Sequence, residues 1–325
     1  MRDFKPIIVY RNIFIMETFD IIIGFIGVIF LYVLYNEYQY NTTKNALTKI
    51  YTSKDFPKQI WIYWNSPIDT APKIVQTCVH LIQKLNPHFQ VNILNETNYT
   101  RYVKDKRVTR HIQSDVNQNY KSDLLRWYLI YTYGGLYVDA SVLPFCSFEW
   151  IVNEMNVSGK SLLLYNNVHH TRKRSEPVYE TWLIAGVPGT EISRLVYTEF
   201  LKCLDEGIHQ SFHRLISDKS VDYQNFANHG PYHLIYFLMI QLFSKYKLHS
   251  QIKSLRCSYN SYPCSPIGGY VDFNTIFKNK TSYKEFQRFA YSNRFAKLTA
   301  YNRTHVEQYR YPLPYTILYY LLNQS

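Results

Sequence analysis

The sequence predicts an α/β fold with a ligand crevice at the strand ends, on three observations. An aromatic and β-branched run, Gln59–Trp64, is followed by an amphipathic helical pattern and an alternating run, Phe89–Leu94. That is strand, helix and strand at βαβ length. A second helical pattern from Ser122 runs into Gly134-Gly135 and a further alternating run, Leu136–Ser141. The chain has 325 residues, 46% of them apolar, enough to bury a full core.

Taken in order, Pro57 opens the globular part and Pro67 ends the first strand. Pro72 suits a helix's first turn, and Ile74, Cys78, Leu81, Ile82 and Leu85 recur at helical spacing until Asn86-Pro87. The strands flanking that helix should be parallel, joined by a right-handed crossover. In the next helix Ser122 is the expected N-cap and Asp123 lies in the first turn. Leu124, Leu125, Tyr128, Leu129 and Tyr131 form its buried stripe. Asp123 and Arg126, three apart, share a face, and Gly134-Gly135 closes the helix. In the strand that follows, Tyr137, Asp139 and Ser141 point to one side, Leu136, Val138 and Ala140 to the other. Asp139 thus falls near the strand's C-terminal end, where open α/β sheets bind ligands. Beyond Pro144, Ser161–Tyr165 and Thr181–Val187 read as strands and Glu191–Leu204 as a helix. Gly230-Pro231 opens an apolar helix, Tyr232–Phe243. Residues 257–300 are rich in turn signals, and the Tyr/Leu-rich tail 311–325 reads as a packing helix.

Ahead of the globular part, residues 21–35 carry no charge. Fifteen residues are fewer than the roughly twenty a bilayer requires, and flanking Thr18, Phe19 and aromatic residues extend the run into the interface. The expected organisation is a cytosolic tail at 1–20, a transmembrane signal anchor at 21–38, a short polar stem at 39–55 and one domain at 56–325. A cleaved signal peptide lacks its small-x-small site here, and a buried helix is the third reading. Arg2, Lys5 and Arg11 precede the run, which keeps the N-terminus cytosolic and sends the domain across the membrane. Seven N-x-S/T sequons, at Asn41, Asn95, Asn98, Asn156, Asn279, Asn302 and Asn323, are compatible with a lumenal domain.

A formal net charge of +12 suggests an anionic partner. The basic residues are scattered, without a run of five, so nucleic acid is not the expected one. Five cysteines without a C-x-x-C pair exclude the common zinc and thioredoxin patterns. Cys257 and Cys264 can form a local bridge in an oxidising compartment. The 32 tyrosines reflect compositional bias more than a stacking surface. Trp61 and Trp64 read as core, Glu180 as a solvated strand-end residue or a site residue, and His229 and His305 as structural histidines or late metal ligands.

The chemistry concentrates in Lys121–Pro144. A hard cation such as Mn²⁺ or Mg²⁺ takes oxygen ligands and shares substrate phosphates. Asp139-Ala-Ser141 offers a carboxylate and a hydroxyl on one face, and Arg126 adds a fixed positive charge. Here the chain resembles a known group. The pattern S-D-x-x-R-x-x-x-L-x-x-x-G-G-x-Y-x-D-x-[DST] resembles the DXD-containing sugar transferases of glycosyltransferase family 32, and more closely the capsular polysaccharide synthesis proteins. Pro57-Lys58-x-Ile60-Trp61-x-x-Trp64, Ala71-Pro72 through Asn86-Pro87, Pro177-x-x-Glu180-x-Trp182, Gly230-Pro231 and Lys297-Leu298-Thr299 agree with it.

The resemblance implies a GT-A-like fold, a Rossmann-like nucleotide-binding core with a mixed sheet. It also implies a hexosyltransferase-type enzyme that moves sugar from a nucleotide-sugar donor to a glycan or polysaccharide acceptor with a divalent metal. Asp139 and Ser141 would hold the metal. Asp123 would share catalysis with Asp139, and Asp123, Arg126, Gly135, Tyr137 and Asn65 would meet the donor. A far-side domain then fits the Golgi or ER lumen. Ser141 stands where family 32 has a second Asp, which keeps open a catalytically inactive, glycan-binding or scaffolding relative.

Overall fold

The computed structural model describes residues 27–35, 56–257, 269–270, 273–308 and 312–323. The chain divides into two compact units, Met1–Lys49 and Ile50–Ser325. In the first, residues 27–35 are helical and exposed throughout. The rest of the expected anchor, 21–26 and 36–38, and the stem at 39–55 lie outside the described residues. Among the described residues no helix is long and apolar enough to cross a membrane.

The second unit begins with β1 (Gln59–Tyr63), α1 (Lys73–Leu85) and β2 (Gln90–Leu94). The strands pair in parallel with Ile60 opposite Val91, as the βαβ reading requires. α1 buries Ile74, Val75, Cys78, Val79, Leu81 and Ile82, and full burial of such a side chain contributes about 1.5–3 kcal/mol. α2 (Lys106–Gln113) and α3 (Gln118–Tyr133) lead into β3 (Gly135–Val138), β4 (Val142–Pro144) and α4 (Glu149–Ser158). β5 (Leu162–Asn167), β6 (Tyr179–Gly186), α5 (Glu191–Glu206), α6 (Ile208–Ile216), α7 (Leu234–Tyr246) and β7 (Ile252–Cys257) follow. The chain then forms β8 (Gly269–Tyr270), α8 (Phe273–Phe277), α9 (Tyr283–Asn293), β9 (Phe295–Lys297), α10 (Ala300–Gln308) and α11 (Ile317–Leu322).

Six strands form one mixed sheet in the order β2-β1-β3-β6-β5-β7. β6 is antiparallel to both its neighbours, and the other pairs are parallel. The chain reverses lateral direction at β1, passing first to β2 and then back to β3. That reversal leaves a crevice beyond the C-terminal ends of β1 and β3. A second, three-stranded sheet has the order β4-β9-β8.

Two glycines let β3 enter the sheet. Gly134 and Gly135 have φ of 65° and 87°. A Cβ at Gly135 would lie 2.5 Å from the Gln59 carbonyl oxygen, and one at Gly134 2.9 Å from that of Gly186. The left-handed backbone and the close approach of β1 and β6 both exclude a side chain. The Trp61 indole donates to the Gly134 carbonyl at 2.8 Å.

Several expectations are corrected. α3 starts a turn earlier than predicted, because the Asn117 side chain caps it by accepting from Asn119 N. Ser122 and Asp123 are therefore interior helical residues, and the Ser122 hydroxyl is used elsewhere. The turn-rich segment 257–300 contains α9 and β9. A capping box at Ser282 and Glu285 starts α9, a signal present in the sequence. Two sequon asparagines are buried in the folded state. Asn95 is buried and accepts from Thr97 N, while buried Asn302 accepts from Thr299 N. Cys257 is buried at the end of β7, and Cys264 lies outside the described residues.

Candidate active site

The crevice is a cavity of about 620 Å³. Tyr63, Trp64 and Asn65 enter it from the end of β1, Asp139 to Ser141 from the end of β3, and Ser122, Asp123 and Arg126 from α3. Tyr232, in the turn just before α7, and Tyr236, in the first turn of α7, form a wall. Asn119 Nδ2 donates to the Tyr232 carbonyl at 3.1 Å and Tyr120 OH to the Pro231 carbonyl at 2.8 Å, which ties that wall to α3.

Arg126 is the centre of the floor. One Nη lies 3.1 Å from an Asp123 oxygen and the other 3.2 Å from Asp139 Oδ1. Arg126 also donates to Thr181 Oγ1 and, at 2.8 Å, to Ser122 Oγ. Its guanidinium lies over the Tyr137 ring at 4.9 Å, and Tyr137 OH meets Ser122 Oγ at 2.9 Å. Contacts from α3, β6 and the end of β3 thus hold the guanidinium at the cavity floor.

The second cation was not assigned to the site by sequence. Lys297 Nζ donates to Asp139 Oδ2 and, at 2.8 Å, to Ser141 Oγ. The pairing of β4 with β9 brings it there, with Val142 opposite Lys297. Leu298 N donates to the Ser141 carbonyl at 3.0 Å and locks the register. Arg303, on α10, also lines the cavity.

These groups perturb one another. Burial pushes Asp123 up to about 7, helped by Asp139 and opposed by Arg126. Burial also works against ionised Asp139, but Lys297 and Arg126 overcome it and hold its pKa below the usual value. Lys297 is lowered by burial despite the attraction of Asp139. Arg126 is raised, its two carboxylates outweighing burial. Asp139 remains a carboxylate, 22% exposed toward the cavity, whereas Asp123 changes protonation near neutral pH.

Of the residues expected from sequence, Asn65, Asp123, Arg126, Asp139 and Ser141 line the cavity. Gly135 and Tyr137 do not. Gly135 is at the opposite end of β3, against Gln59, and acts on the fold. Tyr137 is fully buried beneath Arg126 and positions it. Trp61 is core, whereas Trp64 is half-buried and reaches the cavity. Glu180 is not solvated: it is fully buried and accepts from Asn167 Nδ2 at 2.7 Å and Tyr236 OH at 2.8 Å. His229 stacks on Phe226 at 4.2 Å, and His305 packs against Tyr301 at 3.8 Å.

A Mn²⁺ or Mg²⁺ ion requires about six oxygen ligands. Asp139 and Ser141 offer one carboxylate and one hydroxyl, and all three oxygens already face Arg126 or Lys297. Among the described residues no group of three or more His, Cys, Asp or Glu is placed to hold a metal ion. Substrate phosphates and water can complete such an ion's shell, but an ion held by Asp139 and Ser141 would have to displace Lys297 from them.

Comparison with known proteins agrees with the motif. Residues 30–312 match the capsular polysaccharide synthesis protein family. The chain belongs to that family. The matched span contains every cavity-lining residue named above. No curated protein matches the sequence. Among solved structures the chain is similar to the PaToxG glycosyltransferase, with 13% identity, 66% of this chain and 85% of that chain covered, and a TM-score of 0.36. That likeness is too distant to carry an argument, and the architecture rests on the strand order itself.

Proposed function

We propose that this member of the capsular polysaccharide synthesis family is a glycosyltransferase of the hexosyltransferase type. It takes a sugar from a nucleotide-sugar donor and passes it to a hydroxyl of a glycan or polysaccharide. The observation that carries the reading is the Asp123–Arg126–Asp139–Lys297 cluster on the floor of the cavity where β1 and β3 end. Open α/β sheets bind nucleotides at that place, and fixed cations there match a diphosphate. Family membership supports it, since a polysaccharide is built by forming glycosidic bonds.

In the reaction the bond from the anomeric carbon to the donor diphosphate breaks, and one to the acceptor oxygen forms. The leaving diphosphate gains negative charge, which Arg126, Lys297 and Arg303 are positioned to stabilise. Asp123, protonatable near neutral pH, is the carboxylate suited to exchange a proton with a sugar hydroxyl. Tyr63, Trp64 and Asn65 are placed to meet the nucleoside, and Tyr232 and Tyr236 to border the sugar.

A thermal-shift and turnover panel of UDP-, GDP-, ADP- and dTDP-sugars tests the reading, since a ligand of the native state raises its stability. At least one donor should raise Tm and be hydrolysed or transferred. No shift and no turnover across the panel, or an Asp139→Ala variant as active as the parent, would sink it. Binding without turnover would instead favour the inactive scaffolding relative that Ser141 suggests. Anchoring through residues 21–38 with a lumenal catalytic domain belongs to the same proposal and rests on the apolar run and the basic residues before it. Protease protection of the domain in sealed microsomes tests it, and cleavage without detergent would refute it.

A further inference from the structure

We propose that Lys297 is a built-in cation that takes the place of a divalent metal, so that the donor diphosphate binds without metal. The inference rests on the glycosyltransferase reading and specifies how its donor is held. The ammonium bridges Asp139 and Ser141, the same two oxygen-bearing groups that a metal would need. It is nearly buried, with a side chain 10% exposed, and lines the cavity. It is therefore a component of the floor and not a surface lysine swinging over it.

Three further observations support the substitution. The backbone beneath Lys297 is held on both sides, by Val142 of β4 and by Tyr270 of β8, and Leu298 N is tied to Ser141. The position of the charge is therefore inherited from a sheet. An ammonium has three N–H donors, and Asp139 and Ser141 use two, which leaves one for a phosphate oxygen. Finally, the charges at the floor are asymmetric. Arg126, Lys297 and Arg303 stand against Asp123 and Asp139, so the arriving diphosphate meets a cationic surface without an added ion. The Ser at position 141 also follows from this arrangement. A second carboxylate there would neutralise Lys297 and cancel the surplus, whereas a hydroxyl orients the ammonium without neutralising it.

Calorimetry of the full chain with UDP, GDP, ADP and dTDP, each in EDTA and in Mn²⁺, tests the proposal. At least one nucleoside diphosphate should bind in EDTA with a Kd within about threefold of that in Mn²⁺, a difference of about 0.7 kcal/mol or less. Lys297→Met should weaken binding in EDTA by about tenfold or more, and Lys297→Arg should retain most of it. If Lys297→Met fails to fold, the unmodified protein and Lys297→Arg still decide the matter. Binding that appears only with Mn²⁺ would overturn the role of Lys297 and leave the donor reading standing. Absence of binding in both conditions would overturn both.

Discussion

The two ends of β3 are separated by four residues and answer to different physics. At the entry, Gly134 and Gly135 carry positive φ and leave no room for a Cβ against Pro188, Gly186 and Gln59. At the exit, Asp139 and Ser141 turn toward a cavity and hold two cations. The entry is constrained by its own backbone and the strands beside it. The exit is constrained by charge arriving from α3 and from β9, 158 residues further along the chain. One short motif thus combines a fold requirement and a chemical one, and a change at either end should show which it touches.

The largest expected effect is at the entry. Gly135→Ala must move the Gln59 backbone and adopt a left-handed conformation, which should cost about 3 kcal/mol or more. A urea midpoint lowered accordingly is expected, and an unchanged midpoint would break the distinction between the two ends. At the exit, Asp139→Asn removes the carboxylate between Arg126 and Lys297. Transfer should fall by about 100-fold or more, while the stability loss stays below that of Gly135→Ala. A variant that loses only stability would make Asp139 a second structural residue.

The pH dependence separates the cavity floor from its α7 wall. Asp123 is raised to about 7 from an unfolded value near 3.9. The folded state holds the extra proton, so its contribution to stability is complete below about pH 4 and is lost as pH rises toward 7. His233, lowered to about 4 mainly by burial and then by His229 and His170, has the opposite sign. Its contribution is present above about pH 6.5 and is lost as pH falls toward 4. Asp123→Asn should therefore flatten the loss of Tm toward neutral pH and leave the acid-side loss intact. A profile unchanged by Asp123→Asn would place the titration elsewhere.

The smallest effect is expected at Ser141. Ser141→Ala deletes one hydrogen bond to Lys297 and keeps the Asp139 contact, so the cost should be about 1 kcal/mol. A fall in Tm as large as that of Asp139→Asn would mean that the hydroxyl holds Lys297 as firmly as the carboxylate does.

Much of this was legible in the chain. The run from Pro57 to Leu94 carries local signals that agree with one another: β-branched strands, a Pro-initiated helix and the Asn86-Pro87 stop. The observed β1, α1 and β2 follow them closely. The pairing of Asp123 with Arg126 and the strand-end place of Asp139 also came from spacing alone. The start of α3 was misplaced because Asn117 and Ser122 are both competent caps, and local sequence does not choose between them. β9 was missed because it has three residues, Phe295–Lys297, and forms only where β4 and β8 can pair with it.

By itself, then, the sequence determined the βαβ opening, the glycine entry to β3 and the carboxylates and guanidinium within one short unit. These depend on contacts between near neighbours, where period and spacing suffice. Tertiary structure alone decided that the Asp123–Arg126 pair is buried, that Tyr137 supports the guanidinium while Gly135 does not reach the site, and that Lys297 bridges Asp139 and Ser141. The position of Lys297 follows from strand pairing between distant segments, and no local pattern encodes which strand another will meet.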